Sequence, residues 1–374
     1  MPVRILILTA AIGEGHDLPA RVLADGLRRE RPDVEAPVVD GLQAMGRMAS
    51  LIADDGSDLM FDRMNWLFDL SYFLLARFPP SRAFARWLTH RLGSRGLRRL
   101  IAEQRPDVVV STYPGVTEVL GHLRRTGRVQ VPVVSAITDL AGLRFWAHPD
   151  VDVHLITEAE SEPEVRSIAP RSRIVCVRGL TAPEFDHPVD QAVARRGLSL
   201  PETGPVIVVS GGGWAVGDLG GAAQAALACD SEATVVALCG RSEAVQHALA
   251  ARFPAESRLR IMGFTDRMGD VLAAADVLIH STAGLTVFEA RIRGCRVISY
   301  GWGVSHIRLN NAAYRRFGLA QVAADSEQLD AALRRALAQP RRPLTSYGDR
   351  PTAASVVLGL AGAQEPRATA GVAA

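Results

Sequence analysis

A doubly wound α/β architecture, with two parallel-sheet domains facing one another, is predicted by three features of this chain. Short β-branched runs alternate with longer segments of helical period from one end to the other, the signature of parallel sheets covered by helices. Both halves open alike, with a hydrophobic strand that runs into a glycine-rich turn and then a helix. A length of 374 residues is also more than one hydrophobic core commonly serves, so two domains of ordinary size are expected. Ligands of such a pair bind between the sheets, at the carboxyl ends of the strands.

In chain order, the first half predicts strand Val3–Thr9, helix His16–Arg29 and strand Pro37–Asp40. A long helical stretch follows over Asp58–Glu103, interrupted at Pro79-Pro80 because proline breaks a helix interior. Next come strand Asp107–Ser111, helix Val116–Arg125, strands Val131–Ile137 and Val153–Ile156, helix Glu158–Ile168 and strand Arg173–Val177. The alternation breaks over Thr181–Pro205, where Pro, Asp and Gly punctuate the chain, and this segment reads as a hinge. The second series predicts strand Val206–Ser210, helix Asp218–Cys229, strand Thr234–Cys239, helix Glu243–Arg252 and strand Leu259–Met262. Helix Asp266–Ala275, strand Val277–His280, helix Thr286–Arg293 and strand Arg296–Tyr300 complete it. The last stretch, Gln364–Ala374, has few bulky side chains and is expected to fray.

Composition narrows the chemistry. All 42 basic residues are arginine, so a Schiff-base lysine, a P-loop lysine and a lysine general base are excluded. Anions must be met by arginine, backbone N–H groups or helix N-termini. A net charge of +2 argues against bulk nucleic-acid binding. Cys176, Cys229, Cys239 and Cys295 are too far apart for a C-x-x-C or zinc ribbon and read as reduced thiols. No apolar run reaches the ~18 residues of a membrane span. The opening Met1-Pro2-Val3-Arg4 runs straight into a strand rather than reading as a signal peptide.

Four short motifs could carry chemistry. In the first turn, Gly13-Glu14-Gly15-His16, the glycines allow a tight exit from the strand and His16 falls at a helix N-terminus. The positive end of the helix dipole there favours the neutral, base-competent imidazole, although an ordinary polar N-terminal residue would look the same. In the second, Ser210-Gly211-Gly212-Gly213-Trp214, successive glycines expose backbone N–H groups suited to a diphosphate; a plain tight turn is the alternative. The third runs from Ser281 through Gly284, Leu285 and Thr286 to Glu289: loop amides could meet phosphate while a carboxylate accepts two ribose hydroxyls. Helix capping by Thr282 or Thr286 competes with that account. The fourth is Thr138-Asp139 at the end of a strand, where Asp139 either orients His16 or the attacking hydroxyl, or caps a loop.

One stretch departs from the rest in composition. Eight of the 21 aromatic residues fall within Phe61–Trp87, among them Trp66, Phe73 and Trp87, and Arg82–Arg105 carries seven arginines against the single Glu103. An aromatic face beside an arginine face suits a helix lying in an anionic bilayer surface; an amphipathic core helix with a solvated basic face is the alternative.

Together these motifs resemble glycosyltransferase family 28, in particular its diacylglycerol branch, the monogalactosyldiacylglycerol synthases and processive diacylglycerol glucosyltransferases. The resemblance spans about Val3–Gln339 and also rests on Arg124-Arg125-Thr126-Gly127, Trp146-x-His148, Cys239-Gly240-Arg241, Gly263-Phe264 and Gly284-x-Thr286-x-x-Glu289-Ala290. It implies a GT-B fold of two Rossmann-like domains and an inverting transfer of a hexose from a UDP-sugar to a diacylglycerol-like hydroxyl. Residues 1–185 would form the lipid-acceptor domain, 186–204 the hinge, 205–340 the nucleotide-sugar domain, 341–363 a C-terminal crossover and 364–374 a flexible tail. His16 would be the base and Asp139 its acceptor-side partner. Donor binding would fall to Gly211, Gly212, Gly213, Arg241, Phe264, Gly284, Leu285, Thr286, Glu289 and Asn310. Gly13, Gly15, Trp66, Phe73, Trp87 and Trp146 would lie on the acceptor or membrane side. The resemblance further implies no metal, no nucleic-acid partner, and peripheral attachment to an anionic surface on the cytoplasmic face of the cell membrane.

Two departures qualify the resemblance. The family's hinge motif G-x-P-x-R-P is replaced by Gly179-Leu180-Thr181-Ala182-Pro183, which lacks the arginine, with Arg178 nearby. Its P-G-Q-E-x-x-N segment is replaced by Val304-Ser305-His306-Ile307-Arg308-Leu309-Asn310, so sugar identity is not legible. A nucleotide-sugar epimerase of GT-B fold, or a non-catalytic nucleotide-sugar or lipid-binding relative, are the alternatives these changes leave.

Overall fold

The computed structural model describes residues 2–10, 14–46, 79–282, 284–301 and 305–362. Of the residues singled out above, Gly13, Trp66 and Phe73 lie outside the described residues, as do Phe61–Phe78, Trp302–Val304 and the 364–374 tail.

The first six strands are β1 (Ile5–Thr9), β2 (Val38–Asp40), β3 (Val108–Ser111), β4 (Val133–Ala136), β5 (Val153–Ile156) and β6 (Arg173–Cys176). Between them lie helices α1 (Glu14–Glu30), α2 (Gly41–Met45), α3 (Pro79–Gln104), α4 (Pro114–Arg125) and α5 (Glu162–Ile168). The strands form one parallel sheet in the order β2-β1-β3-β4-β5-β6. A second parallel sheet contains β7 (Val206–Ser210), β8 (Thr234–Leu238), β9 (Leu259–Met262), β10 (Val277–His280), β11 (Arg296–Tyr300) and β12 (Gln321–Ala323), ordered β12-β11-β10-β7-β8-β9. Its helices are α6 (Gln191–Gly197), α7 (Leu219–Cys229), α8 (Glu243–Arg252), α9 (Met268–Ala274), α10 (Thr286–Ile292), α11 (Ser305–Arg316) and α12 (Ser326–Leu337). A last helix, α13 (Ala353–Gly362), follows.

The opening strand of each half is wholly buried, which is why both read as continuous apolar runs rather than alternating ones. Each also sits where the strand order reverses. In the first sheet β1 lies between β2 and β3, and in the second β7 lies between β10 and β8. Loops leaving adjacent strands diverge at such points and open a crevice at the strand carboxyl ends.

Several elements escaped the sequence reading. The expected interruption at Pro79-Pro80 falls where helix α3 begins, since proline suits a first turn, and from there α3 runs for 26 residues. Its second half packs closely: a Cβ on Gly96 would meet the Ala44 carbonyl, and one on Gly93 the Met45 side chain. The expected hinge contains α6, seven residues capped by Asp190, whose carboxylate accepts from the Val193 N–H at 3.0 Å. A helix of two turns shows too little periodicity to be read. Helices α2, α11, α12 and α13 and strand β12 were likewise not anticipated. Helix α13 packs on α1, and the chain before it pairs with Arg178 through Arg178 N–H to the Pro351 carbonyl and Ala353 N–H to the Arg178 carbonyl. The chain therefore leaves the first sheet, builds the second and returns.

The four cysteines are free thiols, Cys239 and Cys295 buried and the others half-buried. Among the described residues no helix is long and apolar enough to cross a membrane.

Candidate active site

His16 lies in the first turn of α1, beside the segment that leaves β3. Its ring Nδ1 stands 3.1 Å from the Thr112 carbonyl. A carbonyl only accepts, so Nδ1 carries the proton and Nε2 is the basic nitrogen. Thr112 closes the arrangement from the other side, its hydroxyl donating to the His16 carbonyl at 3.0 Å while its N–H donates to the Leu8 carbonyl. The ring is flanked by Tyr113, edge-on at 5.1 Å between centroids, and by Trp146 at 5.6 Å. Trp146 is buried, and its indole N–H donates to Asp139 Oδ2 at 2.8 Å. The carboxylate thus anchors the indole that packs on His16. Thr112 and Tyr113 carried no sequence signal, because only the β1–β3 pairing brings them to His16. Trp146, grouped above with acceptor and membrane residues, is buried and backs the imidazole from the interior. Gly15 lies within the first turn of α1, with open space where a Cβ would stand.

In the second domain two loops clip together at the β7–β10 reversal. Ser281 donates to the Val216 carbonyl, and a Cβ on Gly217 would meet the Ser281 side chain. Gly212–Trp214 form a short 3₁₀ turn with Gly211 at its cap, and the Gly212 N–H donates to Ser210 Oγ at 3.2 Å. Thr282 stands against Gly212 from the β10 side. Arg241 N–H donates to the Gly213 carbonyl at 2.9 Å, tying in the loop after β8. The Arg241 guanidinium lies over the Phe264 ring, 4.0 Å from its centroid, and Phe264 is exposed. Gly211 is a glycine by necessity, since a Cβ there would lie 2.5 Å from the backbone of Ala215 and Val216. Gly211→Ala is expected to destabilise the protein by about 1–3 kcal/mol, as overpacking does, and to displace the turn. Thermal unfolding together with UDP titration would register both effects.

Helix α10 begins at Thr286, with Gly284 at φ +108° ahead of it and Leu285 buried at its cap. No side chain caps it, so the capping roles considered for Thr282 and Thr286 are not taken up. Glu289, one turn in, is 4% exposed, and burial together with the Glu184 carboxylate pushes its carboxyl up to about 7. Among the described residues no donor is bonded to that carboxyl. His280, ending β10, is likewise buried, and its imidazole is pushed down to about 4. It meets the ring of Tyr314 at 5.9 Å, and burial raises the Tyr314 hydroxyl, with the Asp139 carboxylate adding to the effect.

Asn310 is expected on the donor side. It is fully buried on α11, and its Oδ1 accepts from the Leu140 N–H at 2.9 Å, joining the loop after β4 to the second domain. The carboxyl end of the first sheet therefore meets the second domain one residue from Asp139. At the opposite corner Glu184 accepts from the Gly269 N–H, while Arg293 donates to the carbonyls of Glu184 and His187. Arg178, beside the altered hinge motif, donates to the Arg350 carbonyl and lies 4.0 Å from Asp186, so it serves the crossover. Trp87, with Phe84, is exposed near the start of α3, the two rings stacked at 5.9 Å. Among the described residues no group of three His, Cys, Asp or Glu side chains is placed to hold a metal ion.

The family described as monogalactosyldiacylglycerol (MGDG) synthase matches residues 27–180. A processive diacylglycerol beta-glucosyltransferase of Bacillus subtilis (strain 168) is 26% identical over 303 residues, which cover 79% of this chain and 77% of the relative. One from Bacillus cereus (strain ATCC 14579) is 23% identical over 332 residues, 87% of this chain and 83% of the relative. Arabidopsis thaliana UGT89C1, solved with UDP, aligns with a TM-score of 0.59 at 14% identity, over 96% of this chain and 99% of that one. Acinetobacter baumannii MurG aligns with a TM-score of 0.56 at 14% identity, over 96% and 94%. The structural likenesses establish the GT-B fold, and the sequence matches bear out the resemblance read from the motifs.

Proposed function

We propose that this chain, related to the monogalactosyldiacylglycerol synthases and processive diacylglycerol glucosyltransferases, is an inverting transferase moving a hexose from a UDP-sugar to a diacylglycerol-type hydroxyl. The observation that carries the reading is the anchored imidazole: His16 Nδ1 donates to Thr112, which directs the basic Nε2 to a proton from elsewhere. In this reading Nε2 takes the acceptor hydroxyl proton as that oxygen attacks the anomeric carbon. The bond from that carbon to the diphosphate oxygen breaks on the opposite face, and UDP leaves with the electron pair.

The first domain would take the lipid and the second the nucleotide. Without lysine, charge on the departing diphosphate would fall to the Gly211–Gly213 turn, the Ser281–Gly284 loop and arginine. Glu289 supports the nucleotide assignment, because a buried acceptor with no bonded donor among the described residues suits the two ribose hydroxyls. Phe264 and Arg241 would border the base. The reading invokes no resident metal. Both Bacillus relatives reported above are named glucosyltransferases, so the epimerase alternative is the less favoured.

A screen of UDP-sugars against diacylglycerol, with EDTA present, tests this reading. UDP release that requires the lipid is the expected result. Release without an acceptor, with UDP-GlcNAc epimerised, would instead point to the second enzymatic reading.

Membrane attachment belongs to the same proposal. Phe84 and Trp87 are 62% and 56% exposed beside the arginine-rich face of α3, a combination suited to peripheral binding at an anionic, cytoplasmic-facing bilayer surface. The chain is expected to co-sediment with anionic vesicles, less so at high salt, and more weakly when Phe84 and Trp87 are both replaced by serine. Absence of binding at low salt would reject attachment through this face.

A further inference from the structure

Buried polar groups cross the junction between the two domains, and one hydroxyl among them stands unpaired. Tyr314 on α11 is fully buried, and among the described residues its hydroxyl has no hydrogen-bond partner. Leaving a buried donor unpaired costs free energy, so such a group calls for a reason.

The neighbours of Tyr314 belong to both halves of the site. Asn310, four residues earlier on α11, shares a helix face with it and accepts from the N–H of Leu140, which adjoins Asp139. On the other side the Tyr314 ring meets His280, the last residue of β10, from which the Ser281–Gly284 loop leaves. Burial raises the Tyr314 hydroxyl, the Asp139 carboxylate raises it further and the Gly284 backbone opposes them, so the hydroxyl lies within electrostatic reach of both.

Asp139 is the complementary half. Its Oδ2 accepts from the Trp146 indole, while among the described residues no donor is bonded to Oδ1. An unpaired donor on one domain and an unpaired acceptor on the other thus flank the Leu140–Asn310 bond that already joins them. A small movement of α11 against the 139–146 loop would pair them, and a hydrogen bond to a charged oxygen is among the stronger ones.

Building on the transferase reading, we infer that Tyr314 is a positioning residue: with nucleotide at the loop after β10, its hydroxyl donates to Asp139 Oδ1, and the carboxylate so held fixes Trp146 against the His16 imidazole. A side chain of the second domain thereby sets the base of the first, and donor binding is felt on the acceptor side.

Tyr314→Phe removes the hydroxyl and keeps the ring. Because that hydroxyl is unpaired in the free protein, the Tm without ligand should be unchanged or slightly raised. For UDP release with diacylglycerol, kcat should fall about 10–100-fold while KM for the UDP-sugar stays within about twofold. A second readout needs no transfer. With isotopically labelled tryptophan in the full chain, the Trp146 indole N–H resonance, identified by its loss in W146F, should shift on saturation with UDP in wild type. In Y314F it should stay in place although calorimetry shows UDP still bound. The inference is overturned if the Y314F resonance moves as in wild type, if its kcat is unchanged, or if Tm, kcat and KM all deteriorate together as a packing defect would make them. A UDP-dependent shift that Y314F abolishes, in a protein with no lipid-dependent turnover, would reject the transferase reading and keep the link between the domains. Absence of UDP binding to wild type would reject both.

Discussion

His16→Ala is expected to lower kcat for sugar transfer by about 10²–10⁴-fold, the usual contribution of a positioned general base, while UDP affinity stays within about twofold. The separation follows from the architecture. His16 belongs to the reversal point of the first sheet, and the glycine turn and Glu289 belong to the second. Steady-state UDP release with diacylglycerol gives kcat, and UDP titration gives affinity. Normal turnover in the variant would show that His16 is not the base. His16→Asn sharpens the test: its amide nitrogen takes the place of Nδ1 and can still donate to the Thr112 carbonyl but cannot take up a proton at neutral pH, so it should be as inactive as alanine. Equal thermal unfolding in both variants would confirm that chemistry, rather than folding, was lost.

Glu289→Gln is expected to stabilise the protein at alkaline pH and weaken UDP binding. Burial raises the Glu289 carboxyl from the ordinary glutamate range to about 7, so the folded state holds its proton more tightly than the unfolded chain does. The stability this proton provides is present in full below the ordinary glutamate pKa. It is lost as pH rises through about 7, because the native state must then carry a desolvated charge beside Glu184. At about 1.4 kcal/mol per pH unit, the loss amounts to roughly 3 kcal/mol between pH 4 and pH 8. Glutamine does not titrate, and its curve should lack this component. Urea unfolding of wild type and variant at pH 5, 6, 7 and 8 measures it, and parallel curves would refute the burial argument. Replacing one oxygen acceptor by an amide should also weaken UDP by about tenfold, the cost of a hydrogen bond to a charged group. A carboxylate that lowers stability yet serves a ligand is the trade expected of a functional position.

Much of the fold was legible because strands buried on both faces read as unbroken apolar runs. Val153–Ile156, Val206–Ser210 and Val277–His280 are buried strands over the very spans expected, and the partly exposed Leu259–Met262 and Arg296–Tyr300 also match their expected spans. Short or composition-poor elements were not, since α6 and β12 offer too few residues to show a period. The Pro79-Pro80 interruption falls where α3 begins, because proline is disfavoured in a helix interior but suits a first turn.

By itself the chain determined the parallel α/β class, the place of His16 at a helix N-terminus, the Gly211–Gly213 turn and the all-arginine chemistry, because these depend on local residue type and spacing. Tertiary structure alone decided the partners. The β1–β3 pairing sets Thr112 under the imidazole, the fold of the 139–146 loop turns Trp146 inward onto Asp139, and the return of α11 spends Asn310 on Leu140. It also decided protonation, since Glu289 and His280 are ordinary side chains until the second domain buries them. Contacts such as His16–Thr112, 96 positions apart, and Leu140–Asn310, 170 apart, together with the desolvation that burial brings, leave no trace in local sequence pattern.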